Sequence, residues 1–509
     1  MHAQGDQNQN RNQKKAETDM NILLIQPRSG FQLRGITFPV CRDLMMSATF
    51  LKKNGYDVLV WDRCISPDVP DRRFAADAAI LFLAQSSSVK DAAAVSDRLR
   101  AKGVRVIWAD MVAVIGADLP DALAHCDYIL MGEYCFTARA LLRAISDGTD
   151  AADVPGIAYT ENGKTVFTQK RPLPDRAQLY PIDWSLIDVH KCFRRFQNCS
   201  RMLYLNASVG CPFDCGFCST PFCYGKRRKR PISHVIQEID TLVREYGMDG
   251  INFSDELLLF TANELAQLKA CRESLGRRFV WGGETRPQIL TPELLRQMYD
   301  AGCRWLLFGL ETGSETMRAH ICKQYDPAQI RAVTDACTKL GIAVFGSFII
   351  GFPNETKEDL RFTVRFAQSL DLDAYLFNYF VMIAHTPLYE QVKRDRGYRF
   401  RSIMEFDDVV NTDSLDTNFS AVPDKALATV KAYFDFLTIT SKKKTAGQHT
   451  AGSQFVKKAI NTAVEYLRCT PSTAFVGLYS IFRRGFGVVF YLLACPKVRR
   501  EYGLYKKRP

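Results

Sequence analysis

Val209-Gly210-Cys211-Pro212-Phe213-Asp214-Cys215-Gly216-Phe217-Cys218 sets three cysteines in C-x3-C-x2-C spacing, directly after the apolar run Met202–Ala207. Three thiolates so close together can hold one soft metal centre, and iron–sulfur clusters are held by cysteine thiolates. A four-iron cluster has four irons to ligate, so three local cysteines leave one iron open to a ligand that is not protein. A cluster that only carried electrons would normally bring a fourth cysteine. The alternative is a zinc knuckle or three buried thiols. Zinc sites usually draw four ligands from paired units, and the nearest candidates, Cys223 and His234, make no such pair. Cys211, Cys215 and Cys218 are therefore read as the catalytic metal ligands and Cys223 as a free thiol.

Outward from the triad, residues 199–395 read as strand-then-helix units. The expected strands are Met202–Ala207, Gly250–Phe253, Phe279–Gly282, Trp305–Gly309, Ala343–Ile350 and Ala374–Met382. Helices are expected near Val235–Tyr246, Ala262–Ser274, Pro292–Ala301, Pro327–Leu340 and Lys357–Ser369. Pro292 and Pro327 stand at first helical positions behind the caps Thr291 and Asp326. Upstream, residues 21–150 alternate short apolar strands with helical patterns: Asn21–Gln26, Asp57–Trp61, Ala79–Leu83, Val104–Ala109 and Tyr128–Met131 as strands, with helices at Arg42–Lys53, Lys90–Lys102, Leu119–His125 and Phe136–Ile145. Continuous apolar strands separated by helices indicate a doubly wound parallel sheet, which binds ligands beyond the carboxyl ends of its strands. The loops Gln85-Ser86-Ser87-Ser88 and Gly132-Glu133 lie at such ends.

The cysteine spacing, with an aromatic just before the last cysteine, resembles the radical S-adenosylmethionine (radical SAM) superfamily. The resemblance implies an α/β chain whose central unit is a partial (β/α)6 barrel carrying a [4Fe-4S] cluster. S-adenosylmethionine would occupy the open iron, and an electron from the cluster would release a 5'-deoxyadenosyl radical. Barrel active sites lie at the carboxyl ends of the strands. There, Trp281-Gly282-Gly283-Glu284-Thr285-Arg286, Gly309-Leu310-Glu311-Thr312-Gly313 and Gly346-Ser347-Phe348-Ile349-Ile350-Gly351-Phe352-Pro353 match the family's cofactor loops. Cofactor contacts are thus expected at Phe217, Gly283, Glu284, Arg286, Glu311 and Ser347, with Gly283 letting the backbone approach closely and Glu311 the better ribose or amine contact. Tyr375, Asn378, Phe380 and His385 are candidates to face substrate.

A doubly wound unit before such a motif looks like the cobalamin-binding domain of one radical SAM subclass, as do Met131-Gly132-Glu133 and Val154–Tyr159. Ser86, Ser87 and Gly132 are the expected corrin contacts. No D-x-H-x-x-G element appears, so no histidine ligand to cobalt is expected. The loop that usually carries glycines for the nucleotide tail reads Trp108-Ala109-Asp110-Met111 instead. A domain that kept the fold and lost the corrin is the alternative.

The remaining segments bound the reading. Residues 1–20 are polar and read as a disordered tail; 151–198 reads as a linker, and 396–509 as mainly helical, with patterns at Lys425–Leu437, Gln454–Leu467 and Ala474–Leu493. Arg483-Arg484 divides that last stretch, and neither apolar half reaches the roughly 20 residues that span a bilayer; it suits either a membrane interface or the flank of the barrel. Sixteen scattered cysteines without a leader imply reduced thiols and a cytoplasmic enzyme, with peripheral membrane contact left open. The net charge of +12 does not by itself argue for nucleic acid as partner. Lys226-Arg227-Arg228-Lys229-Arg230 is either a solvated loop or a docking patch for an acidic flavodoxin or ferredoxin as electron donor.

The resemblance covers roughly residues 21–395. It implies a cobalamin-dependent methyltransferase acting on an unactivated carbon of a small or lipophilic biosynthetic intermediate. A radical cyclase or rearrangement enzyme of a tetrapyrrole, hopanoid or antibiotic pathway is the alternative. tRNA methylthiolation is disfavoured because Cys41, Cys64, Cys126 and Cys135 are too dispersed for a second cluster. A cobalamin- or cluster-sensing protein would not need the cofactor loops.

Overall fold

The computed structural model describes residues 20–29, 41–69, 71, 73–84, 88–119, 121–132, 134–406, 417–440 and 501–504. The helices expected at 454–467 and 474–493, and the corrin contacts Ser86 and Ser87, lie outside the described residues.

The first sheet has strands β1 (Asn21–Gln26), β2 (Asp57–Asp62), β3 (Ala78–Phe82), β4 (Arg105–Ala109), β5 (Tyr128–Leu130), β6 (Ile157–Glu161) and β7 (Lys164–Phe167). Their spatial order is β2-β1-β3-β4-β5-β6-β7, parallel through β5 and antiparallel beyond it. All five residues of β3 are buried, as are the last five of β1, which is what strands covered on both faces require. Each fully buried aliphatic side chain there contributes about 1.5–3 kcal/mol of apolar burial. Two expectations need correction. The helix expected at Leu119–His125 is a helix at Met111–Ile115 followed by a short 3-10 turn, Ala122–Ala124, because Asp110 caps the chain at the end of β4. The segment read as a linker supplies β6 and β7, a hairpin that completes this sheet.

The second sheet curls into a half-barrel. Its strands are β8 (Arg194–Phe196), β9 (Cys199–Leu205), β12 (Gly250–Phe253), β13 (Val280–Thr285), β14 (Cys303–Glu311), β15 (Ala343–Ile350) and β16 (Ala374–Tyr379), in the order β16-β15-β14-β13-β12-β9-β8. The six from β9 to β16 are parallel; β8, also from the segment read as linker, adds an antiparallel edge. A small antiparallel pair, β10 (Ser208–Val209) with β11 (Arg228–Lys229), brackets the cysteine loop. The expected caps are in place: the Thr291 hydroxyl accepts from Leu294 N, and the Asp326 carboxylate from Ala328 N. Helix Asp424–Thr440 packs on the outer face of β16, where Phe434 stacks on Phe377 at 4.0 Å.

One continuous apolar core joins both sheets. The loops after β4 and β5 meet the barrel segment Ser219–Tyr224: Tyr224 donates to Asp110, and a Cβ on Gly132 would lie 3.5 Å from the Cys223 carbonyl. The strand ends of the N-terminal unit thus abut the cysteine loop. Among the described residues, no helix is long and apolar enough to cross a membrane.

Candidate active site

The cysteine loop leaves β10 and is held by backbone bonds from distant units. Gly216 N donates to the Ile321 carbonyl at 2.9 Å, and Leu388 N donates to the Gly216 carbonyl at 2.9 Å. Cys211, Cys215 and Cys218 are half-buried, in contrast to the buried Cys223. Burial raises the Cys211 and Cys215 thiols; Lys323 and Arg286 pull Cys215 back down. Among the described residues, no three His, Cys, Asp or Glu side chains converge as a single-ion site requires. A cubic cluster presents a separate iron to each thiolate and makes no such demand.

Arg286 stands at the end of β13 with its guanidinium 3.8 Å over the Phe213 ring. It is 9% exposed, and its Nε and Nη1 are buried without a partner in the protein. A desolvated cation is costly unless paired. Beside the thiols it could hold an anionic group, so the residues present fit a carboxylate-bearing cofactor on the triad.

Two carboxylates complete the mouth. Glu311, the last residue of β14, has φ +59 and forms a buried ion pair with Lys323, 2.7 Å from Nζ to Oε1. Glu284, near the end of β13, is exposed. Desolvation by the surrounding protein, then repulsion from Glu311, pushes it up to about 7. Glu311, by contrast, is fixed by its lysine. Phe217 lies 5.8 Å from Phe352, with Lys323 Nζ 5.9 Å from its ring centroid. Ser347 faces the barrel interior with Asn378, 3.5 Å away.

A Cβ at Gly283 would stand 2.7 Å from the Phe253 carbonyl, so the glycine lets the strand fit its neighbours. Of the substrate-facing candidates, Tyr375 and Phe380 are absorbed elsewhere. The Tyr375 hydroxyl donates to the Leu370 carbonyl, and Phe380 packs between Phe352 and Phe419. His385 stays at the mouth. It has φ +63, stacks on exposed Phe222 at 4.4 Å and pairs with Asp118 of the N-terminal unit at 3.3 Å.

The basic run is neither a solvated loop nor a free docking patch. Arg227 donates to Ser208 Oγ and to the Leu257 and Leu259 carbonyls, and Lys229 pairs with Glu264 at 2.7 Å. Arg228 donates to the Tyr224 carbonyl, and Arg230 forms a fully buried pair with Glu238. Only Lys226 is exposed. Lys323, Asp255 and Glu256 were not singled out from sequence. An acidic pair at the end of β12, Asp255-Glu256, was the available signal; Lys323 carried none. His125, the histidine of the N-terminal unit, pairs with Asp97 at 2.9 Å, away from the strand ends.

Residues 205–367 match the radical SAM superfamily. The chain is 30% identical over 266 residues to an uncharacterized methyltransferase of Pyrococcus horikoshii, covering 52% of this chain and 57% of the relative. It is 24% identical over 387 residues to the bacteriochlorophyllide d C-12(1)-methyltransferase of Chlorobaculum tepidum, covering 74% and 79%. The fold matches that of the radical SAM methyltransferase TsrM from Kitasatospora setae, solved with cobalamin and a [4Fe-4S] cluster bound. There the TM-score is 0.61 and the identity 17%, over 74% of this chain and 75% of that one.

Proposed function

We propose, for a chain whose residues 205–367 belong to the radical SAM superfamily, that it is a cobalamin-dependent radical methyltransferase acting on an unactivated carbon of a small or lipophilic molecule. Cys211, Cys215 and Cys218 would hold a [4Fe-4S] cluster, and the mouth residues Phe217, Glu284, Arg286, Glu311 and Ser347 would hold S-adenosylmethionine. The observation that carries the reading is the Arg286 guanidinium beside the cysteine triad, stacked on Phe213 with Nε and Nη1 buried and without a hydrogen-bond partner. When bound, the cluster and S-adenosylmethionine supply a 5'-deoxyadenosyl radical, and cobalamin supplies a methyl group.

The chain's own residues do the positioning. Arg286 orients an anionic group toward the triad, and the Glu311–Lys323 pair keeps a fixed carboxylate at the end of β14. Glu284 is left free to take a hydrogen bond. The strand-end loops of the N-terminal unit, Gly132 among them, would hold cobalamin, and they abut the segment that follows the cysteine loop. Holding reactants together there contributes the advantage of proximity.

The test is anaerobic reconstitution followed by product analysis with methyl-labelled S-adenosylmethionine. Expected products are 5'-deoxyadenosine and S-adenosylhomocysteine, with label in the substrate-derived product. Alanine at Cys211, Cys215 or Cys218 should abolish cluster absorption and cleavage; Cys223→Ala should abolish neither. An unlabelled product with 5'-deoxyadenosine alone would replace methyl transfer by cyclisation or rearrangement. No 5'-deoxyadenosine at all would defeat the radical reading.

A further inference from the structure

We infer that Arg42, a residue of the N-terminal unit, is a positioning residue for the cysteine loop, and that its ion pair with Glu256 sets the charge felt by a cluster on the triad. The inference rests on the cluster reading above.

Arg42 opens helix Arg42–Lys53. Its Nη1 donates to the Ser254 carbonyl at 2.8 Å, its Nη2 pairs with Glu256 Oε1, and its guanidinium carbon lies 5.0 Å from the centroid of the Tyr224 ring. All three partners belong to the barrel unit. On its own element it contacts Asp43, at 3.3 Å. Its side chain is 14% exposed and that of Glu256 16%, so the pair is poorly screened by solvent.

The second oxygen of Glu256 accepts from Gly210 N at 2.8 Å, the amide immediately before Cys211. One carboxylate is thus shared between the arginine and the cysteine loop, and it cannot shift without breaking one of the two. The other side of the loop is tied in as well: Cys211 N donates to the Gly225 carbonyl at 3.1 Å, and Gly225 follows the Tyr224 ring that Arg42 covers. Through its bond to Gly210 N the Glu256 carboxylate sits one residue from Cys211. A charge in this place acts on any centre the thiolates hold.

The pair makes opposite predictions for its two halves. Arg42→Gln leaves the Glu256 charge uncompensated and should move the reduction potential of the reconstituted cluster to more negative values. Glu256→Gln leaves Arg42 uncompensated and should move it to more positive values. Arg42→Lys keeps the charge and should stay near wild type, and the double variant Arg42→Gln/Glu256→Gln should return toward it. Iron and sulfide content, then a potentiometric titration followed by the paramagnetic signal of the reduced cluster, read this out without turnover. Should Arg42→Gln fail to fold, the sign of the Glu256→Gln shift decides alone. Wild-type chain that takes up no iron and sulfide overturns the cluster reading and this inference together. A wild type that loads, with variants that load and do not shift or shift alike, overturns the inference alone.

Discussion

Asp110 holds φ +79 and ψ 175, a region open essentially to glycine. It stands in the loop Trp108-Ala109-Asp110-Met111, and it adopts a glycine-like backbone without being glycine. The side chain compensates: its oxygens accept from Cys41 Sγ at 3.1 Å, Met111 N at 2.7 Å and Tyr224 Oη at 2.8 Å. Burial, then Asp43, raises the carboxyl. Two substitutions separate strain from bonding. Asp110→Ala loses the bonds and keeps the strain, whereas Asp110→Gly loses the bonds and relieves it. Glycine should therefore be the more stable variant by about 1–3 kcal/mol, measured by denaturant unfolding. Equal stabilities would mean that the backbone there is not strained. Arg286 invites a parallel experiment on ligand affinity. A charged hydrogen bond contributes about 1.5–3 kcal/mol, so Arg286→Ala should weaken S-adenosylmethionine binding about ten- to a hundred-fold. Unchanged affinity by calorimetry would remove Arg286 from the cofactor site.

The loop after β15 stores a proton-linked preference. Glu355 is fully buried; its Oε2 accepts from Gly351 N at 2.5 Å, and its Oε1 has no partner in the protein. Burial, opposed by the Gly351 bond and reinforced by Asp359, pushes its carboxyl up to about 8 from 4.5. A folded-state value above the unfolded one means the fold favours the protonated acid. That contribution is complete below about pH 4.5 and is lost as pH rises toward 8. Wild-type stability should decline across this window, and Glu355→Gln should flatten the decline and become the more stable chain near pH 8.5. Parallel denaturation midpoints from pH 5 to 8.5 would refute it. The same element shows what a sequence discloses. β15 matched its expected range because Ala343–Ile350 is apolar but for Gly346 and Ser347, with one face fully buried and the other partly so. β6 and β7 were missed because this edge hairpin is short and largely exposed towards its turn, although Asn162-Gly163, with φ +49 and +74, is the turn such hairpins favour. At the site, the cysteines and the acids on β13 and β14 were legible because each follows an apolar strand. Lys323, Glu256 and Arg42 were not, since each acquires its role from a partner that only the tertiary fold brings near.

The two sheets are bound together more tightly than a flexible pair of domains, whose interfaces are ordinarily modest and polar. Most of their buried apolar residues form one cluster, and the segment after the barrel buckles onto the N-terminal unit. Ile403 is fully buried and packs so closely on Gly116 that a Cβ there would stand 2.6 Å from Ile403 Cδ1. Asp121 fixes the buckle: one oxygen accepts from Ile403 N at 2.9 Å and the other from Ser402 Oγ. If the seam is part of the core, weakening it should be felt on both sides. Ile403→Ala should cost about 2–5 kcal/mol, the range for a truncated core aliphatic. Asp121→Ala leaves the Ile403 amide unpaired, and a buried unpaired donor costs about 1–3 kcal/mol. Hydrogen exchange at stepped denaturant concentrations tests the coupling. In both variants protection should fall in β1–β5 and in β12–β16 at the same lowered concentration. Protection lost from the N-terminal sheet alone, with the barrel strands unmoved, would show that each unit folds on its own core and that the strand ends meet the cysteine loop without depending on it.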